Sequence, residues 1–110
     1  MAKVDLILIS GLTASDGSLV ASGATLKFDS EFVAGVTDVR IQPKLYRDRE
    51  LFESGYTHIW MSEEILPDSF MISFPEEEFY VLTPLQLYEE VGNYLNLMLE
   101  GEYFELVTIQ

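Results

Sequence analysis

From Ala24 to Phe32 the chain alternates strictly, with Ala24, Leu26, Phe28, Ser30 and Phe32 on one side and Thr25, Lys27, Asp29 and Glu31 on the other. A period of two predicts a half-buried β-strand. Val39 and Ile41 then alternate with Asp38, Arg40 and Gln42, and Leu45 and Tyr46 close a second such strand. Pro43 falls inside it and has no backbone N–H to donate, which predicts a sheet edge at that end. Val4 to Ile9 is a short apolar run stopped by Ser10-Gly11, the pattern of a strand covered on both faces. Tyr56 to Met61, Phe70 to Phe74 and Tyr103 to Ile109 also read as strands.

Between these lie segments of other kinds. Gly11 to Gly23 is dominated by small residues around Asp16-Gly17 and predicts a long loop or flexible arm, too poor in bulky groups for the core. Arg47 to Gly55 breaks the alternation with a charged run and predicts a short helical insertion stopped by Gly55. Glu76, Glu77 and Glu78 predict an exposed turn before Phe79 to Leu82.

Thr83-Pro84-Leu85-Gln86 is a helix start: a threonine N-cap, a proline at the first helical position and a glutamine placed to complete a capping box. Leu87, Tyr88, Val91, Tyr94, Leu95 and Met98 recur at spacings of three and four, while Gln86, Glu89, Glu90, Asn93 and Asn96 are expected to face away. Gly101 supplies the expected stop. The predicted fold is α+β and mainly β, with about six strands in a small sandwich or barrel-like antiparallel sheet. One long amphipathic helix, Pro84 to Glu100, packs on it, and residues 1–110 form a single domain.

Charge divides the chain unevenly. All six lysines and arginines lie in residues 1–49, where six acids balance them, so the formal net charge of −13 belongs to residues 50–110. A hydrophobic fraction of 48% and an aromatic fraction of 13% exclude a disordered acidic tail. Such a balance repels phosphate backbones and anionic membrane surfaces, and it suits basic protein partners. No segment approaches the length of a membrane span or an export signal, so the chain is expected to be cytosolic when made.

Candidate chemistry is thin. There is no cysteine, and His58 is the sole histidine, so neither a thiol nucleophile nor the usual zinc ligand set can be assembled. The glycines at 11, 17 and 23 are followed by no Gly-Lys-Ser/Thr, which removes a phosphate loop. No Gly-x-Ser-x-Gly elbow accompanies His58, and paired acids among nineteen carboxylates arise by chance too readily to indicate a glycosidase. The sequence therefore predicts no enzyme, no cofactor and no metal. His58 shares a strand face with Tyr56 and Trp60, an aromatic set able to anchor an interface.

The run Gln42-Pro43-Lys44-Leu45-Tyr46-Arg47-Asp48, continuing through Phe52 to Gly55, resembles small β-rich virion proteins of tailed bacteriophages. In those, a strand ending in an aromatic residue leads into a short polar helical insertion, an aromatic and a glycine. The resemblance covers residues 42–55 alone and implies a neck, ring or tail-completion protein between portal and tail, of the kind found in crAss-like phages. It would act in the virion after assembly in the host cytoplasm, as a cyclic oligomer in contact with neighbouring portal, neck or tail proteins and with no membrane.

A ring that lets DNA pass without binding it works best with a phosphate-repelling wall. Glu76, Glu77, Glu78, Glu89 and Glu90 are the expected acidic surface, and Tyr56, His58, Trp60, Arg40, Lys44, Arg47 and Arg49 the expected subunit interface. The alternative is an acidic DNA-mimic or inhibitor protein that occupies a basic groove of a nucleic-acid enzyme.

Overall fold

A computed structural model describes residues 3–33, 35–47 and 58–109. Beyond Arg47, the helical insertion expected over residues 47–55 lies outside the described residues. In chain order the elements are β1 (Lys3–Leu8), β2 (Leu12–Thr13), β3 (Leu19–Val20), β4 (Thr25–Phe32), β5 (Asp38–Tyr46), β6 (Phe70–Ser73), α1 (Glu76–Phe79), α2 (Pro84–Met98) and β7 (Phe104–Ile109). The fold is mainly β, as the periodicity predicts. A five-stranded antiparallel sheet of order β6-β5-β4-β1-β7 carries the core, and β2-β3 form a separate hairpin.

Register places the apolar set of each strand on one face. Leu6 lies opposite Leu26 on one side and Leu106 on the other, Leu26 opposite Leu45, Ile41 opposite Phe70, and Val39 opposite Ile72. α2 covers this face with its own buried residues Leu87, Val91, Gly92 and Leu95. Tyr88 packs against Phe28 with ring centroids 4.7 Å apart, and Tyr94 stacks on Phe70 at 4.2 Å. At Gly92 the helix backbone comes so near the sheet that a Cβ there would lie 2.9 Å from Leu6 Cδ2.

Both ends of α2 are built from side-chain and backbone caps. The predicted capping box is present: Gln86 N–H donates to Thr83 Oγ1 at 3.2 Å, and Thr83 N–H donates to Gln86 Oε1 at 2.9 Å. Leu82 and Leu87, the residues before the cap and at the fourth helical position, line one groove, as in a hydrophobic staple. The helix closes earlier than predicted, at Met98 with Leu99 as C-cap. Glu100, rather than Gly101, takes the left-handed conformation, with φ 57°. Glu100 N–H donates to Leu97 O and Gly101 N–H to Asn96 O, a Schellman pair closed around a residue that has a Cβ.

Four other expectations are corrected. Gly11 to Gly23 is a paired hairpin, not a loop without core residues, since Leu12, Ala14 and Val20 are buried. Its turn needs few residues because Gly17, with φ 87°, lets the chain reverse while Ala14 N–H donates to Ser18 O. Along β4, Thr25 is buried although it sits on the polar side of the alternation, and Phe32 is 58% exposed although it sits on the apolar side. Alternation fixes which face a residue takes, whereas burial depends on what lies above that face, and cover thins toward the end of β4.

Tyr56 to Met61 does not add a strand within its described part. Ile59 N–H donates to Leu45 O at 2.7 Å as an isolated bridge. The next hydrogen-bonded pair of that ladder would be Met61 with Pro43, whose missing N–H ends it. Lastly, Asn96 does not simply face away. Its Nδ2 donates to Phe104 O at 3.0 Å, and its Oδ1 accepts from Tyr103 N–H and Phe104 N–H at 2.9 and 2.8 Å, tying the last helical turn to the start of β7.

Two substitutions read these constraints. Gly92→Ala gains about 1 kcal/mol of helix propensity but overpacks Leu6 at a cost of about 2 kcal/mol, so urea unfolding should show a net loss of about 1 kcal/mol. In a Leu6→Val background, which removes the clashing methyl, the same change should become stabilising. Glu100→Gly removes the left-handed cost and should raise stability by about 1 kcal/mol in the same measurement, whereas Gly101→Ala should not.

Candidate functional site

The sheet face turned away from α2 holds Lys27, Arg40 and Lys44. Register puts Lys27 opposite Lys44 and Glu31 opposite Arg40 across β4 and β5. Lys27 forms an ion pair with Asp5 of β1, whose side chain is almost wholly buried, while Arg40 Nη1 lies 3.7 Å from Glu31 Oε2 in an exposed pair. Lys44 is exposed, and Arg47 is exposed at the end of β5. Asp29 stands exposed opposite Gln42, with no ion pair among the described residues.

At the same end of β5 an aromatic group stands out from the surface. Tyr46 meets His58 with centroids 6.3 Å apart, and His58 meets Trp60 at 4.6 Å. Trp60 is 66% exposed, so its indole is available for contact and is not a core residue. The structure thus brings His58 and Trp60 together as expected and adds Tyr46, which the pattern placed only as a strand end. Tyr56 and Arg49, the remaining residues of the expected interface, lie outside the described residues. The β2-β3 hairpin is tied to this group by one backbone hydrogen bond: Ser15 N–H donates to Trp60 O at 2.9 Å.

Asp16 organises that hairpin turn. Its Oδ1 accepts from Ser18 Oγ at 2.6 Å and from Ser18 N–H at 2.9 Å. These hydrogen bonds hold the carboxyl below its ordinary value of 3.8, with smaller help from the positive charge of Arg47.

The helical layer on the other side of the sheet carries acids and no cation. Glu76, Glu77 and Glu78 are all exposed, and they form the first turn of α1 rather than an irregular turn, where the helix dipole favours negative charge. Glu89 and Glu90 are exposed on α2, as the spacing predicts. The protein is therefore two-sided, with mixed charge and aromatics outside the sheet and acids alone on the helices.

A third feature has no counterpart in the sequence reading. β1 pairs with β4 only at Leu6–Leu26 and Ile7–Thr25, and the two strands part beyond Leu26. Phe28, Ser30 and Phe32 share the orientation of Leu26, so their N–H and C=O groups point into the space β1 has left. Shallow depressions flank this edge on both sides. One, of about 310 Å³, is polar and includes Lys27, Asp29, Gln42 and Lys44; the other, of about 350 Å³, is mainly apolar and lies between β4 and the start of α2.

Among the described residues no three His, Cys, Asp or Glu side chains gather into a group able to hold a metal ion. None of the described helices is long and apolar enough to cross a membrane. No protein-family model, curated protein or solved structure matches the chain.

Acid should loosen the hairpin beneath Trp60. Because the folded value of Asp16 is lowered, its contribution to stability is complete above 3.8 and is lost as pH falls through the lower folded value. The stability difference between wild type and Asp16→Asn, measured by urea unfolding, should be greatest above pH 3.8 and shrink below it. Trp60 emission should follow the same course.

Proposed function

We propose that this chain is a structural assembly component of a phage particle, a ring-forming neck, head–tail connector or tail-completion protein. The observation that carries the reading is the separation of charge across the sheet. Arg40 and Lys44 lie on the face away from α2, and Lys44 is at the end of β5 that carries Tyr46, His58 and the exposed Trp60. Glu76, Glu77, Glu78, Glu89 and Glu90 lie on the helical layer. Copies arranged head to tail would set one surface against the other, a heterologous contact that closes into a ring when the rotation per subunit permits. Complementary charge would set the register and speed of that encounter, and the aromatic group would supply desolvated contact area.

The acids left uncovered would then form a surface that repels DNA, allowing passage without capture. Helical acids suit that role because they need no cation from the same layer to be tolerated: they are solvated, and three of them open a helix.

Co-expression with the neighbouring portal and tail proteins, followed by mass photometry and electron microscopy, tests the reading. A ring or a stoichiometric complex is expected. Arg40→Glu with Lys44→Glu should slow its formation by about tenfold at low salt and much less at high salt, where charge is screened. A chain that stays monomeric beside these proteins and is absent from particles would overturn it. Salt-dependent competition with DNA for a basic enzyme would transfer the assignment to the acidic-mimic alternative.

A further inference from the structure

We infer that the Asn96 side chain is an edge guard: it takes the place of a neighbouring strand beside β7 and keeps that edge from pairing with β7 of a second copy. This inference goes beyond the assembly reading and does not depend on it.

β7 is the last strand of the five-stranded sheet, with β1 as its neighbour on one side. Which of its backbone groups point outward follows from β1. Leu8 N–H donates to Ala24 O and Leu8 O accepts from Gly23 N–H, so the backbone of Leu8 is turned away from its β7 partner Phe104. In an antiparallel ladder such pairs alternate with pairs that exchange both hydrogen bonds, and next to this one Ile9 N–H donates to Tyr103 O. The N–H and C=O groups of Phe104, Leu106 and Thr108 therefore face away from β1.

At the first of these residues the outer position is already filled. Asn96 Oδ1 accepts from Phe104 N–H at 2.8 Å and Asn96 Nδ2 donates to Phe104 O at 3.0 Å, the exchange that a residue of an added antiparallel strand would make. A carboxamide can do this because it carries a donor and an acceptor in one plane, as a peptide group does. Oδ1 also accepts from Tyr103 N–H at 2.9 Å, so two N–H groups hold the oxygen, one carbonyl holds the nitrogen, and the amide has a single orientation. The backbone of Asn96 is pinned as well, its own carbonyl accepting from Gly101 N–H at 3.1 Å.

The strand behind this guard is prone to self-pairing. Phe104–Ile109 reads Phe-Glu-Leu-Val-Thr-Ile, with a single charge among aromatic, leucine and β-branched residues, a composition that pairs readily when an edge is left open. Antiparallel pairing of two copies through all three outward-facing residues sets Leu106 against Leu106 and Phe104 against Thr108. It also sets Glu105 against Val107, so no acid meets an acid along this seam although each chain carries a net charge of −13. Charge within the strand therefore does not prevent the pairing. Asn96 does, because the Phe104 groups of both copies are already bonded. A register centred on Val107 avoids the guard but pairs only Leu106 with Thr108, a shorter ladder.

Amide exchange and sedimentation velocity on the full chain test the inference. In the wild type, Phe104 N–H should exchange at least about tenfold more slowly than the N–H groups of Leu106 and Thr108. Asn96→Ala frees Phe104 and should form dimers with a dissociation constant at least about tenfold below that of the wild type, with Leu106 and Thr108 newly protected. Adding Thr108→Pro should restore the monomer, because Thr108 is exposed and its N–H faces away from β1, so proline removes an edge donor and no bond to β1. That reversal separates edge pairing from association through the charged faces, which neither substitution touches. The inference is overturned if folded Asn96→Ala sediments as the wild type does, or if its dimer survives Thr108→Pro. Should Asn96→Ala fail to fold, the wild-type comparison decides: exchange at Phe104 as fast as at Leu106 and Thr108 overturns the guard.

Discussion

Leu6 sits where three parts of the molecule come together, opposite Leu26 of β4, opposite Leu106 of β7 and beneath the backbone of α2 at Gly92. The sheet is less continuous than its five strands suggest. β4, β5 and β6 form one paired unit, β1 and β7 another, and among the described residues the two join over Leu6–Leu26 and Ile7–Thr25, with Leu8 N–H donating to Ala24 O and Gly23 N–H to Leu8 O beside them. So short a seam cannot hold two units by backbone pairing alone. The helix spans both, from Tyr88 on Phe28 to Asn96 on Phe104, and Gly92 lets it descend to Leu6 between those contacts. Full burial of Leu6, Leu26 and Leu45 contributes about 2 kcal/mol each, which makes this row the principal local opposition to chain entropy.

Where the strands part lies the most buried charge among the described residues. Asp5 is 1% exposed and is ion-paired with Lys27 across the gap, so the mouth of the split is closed by an electrostatic clasp and not by backbone hydrogen bonds. A buried pair of this type adds little stability relative to apolar packing. Its effect is therefore geometric: it fixes how far β1 and β4 can separate, and with that the width of the opening beyond Lys27. Lys27, Arg40 and Lys44 follow the alternation of β4 and β5 onto the face away from the helix, and the acids of α1 and α2 follow helical periodicity onto the other side. Charge separation in sequence becomes charge separation in space because the two kinds of element occupy different layers.

What could be read from the sequence depended on whether the cause was local. Thr83, Pro84 and Gln86 announce the start of α2 because all three interactions lie within four residues. The strand faces of β4 and β5 were legible from a period of two, and the effect of Pro43 from its missing donor. The polar hairpin was not, because Leu12, Ala14 and Val20 are buried by contacts from elsewhere in the chain, and small residues between them hide the pattern. Asn96 looks like one more solvent-facing polar residue until β7 returns beside it with two N–H groups and a carbonyl to satisfy. Of the candidate surface, the pairing of His58 with Trp60 was visible as a spacing of two. The divergence of β1 from β4 beyond Leu26 was not, since it depends on pairing between segments distant in sequence.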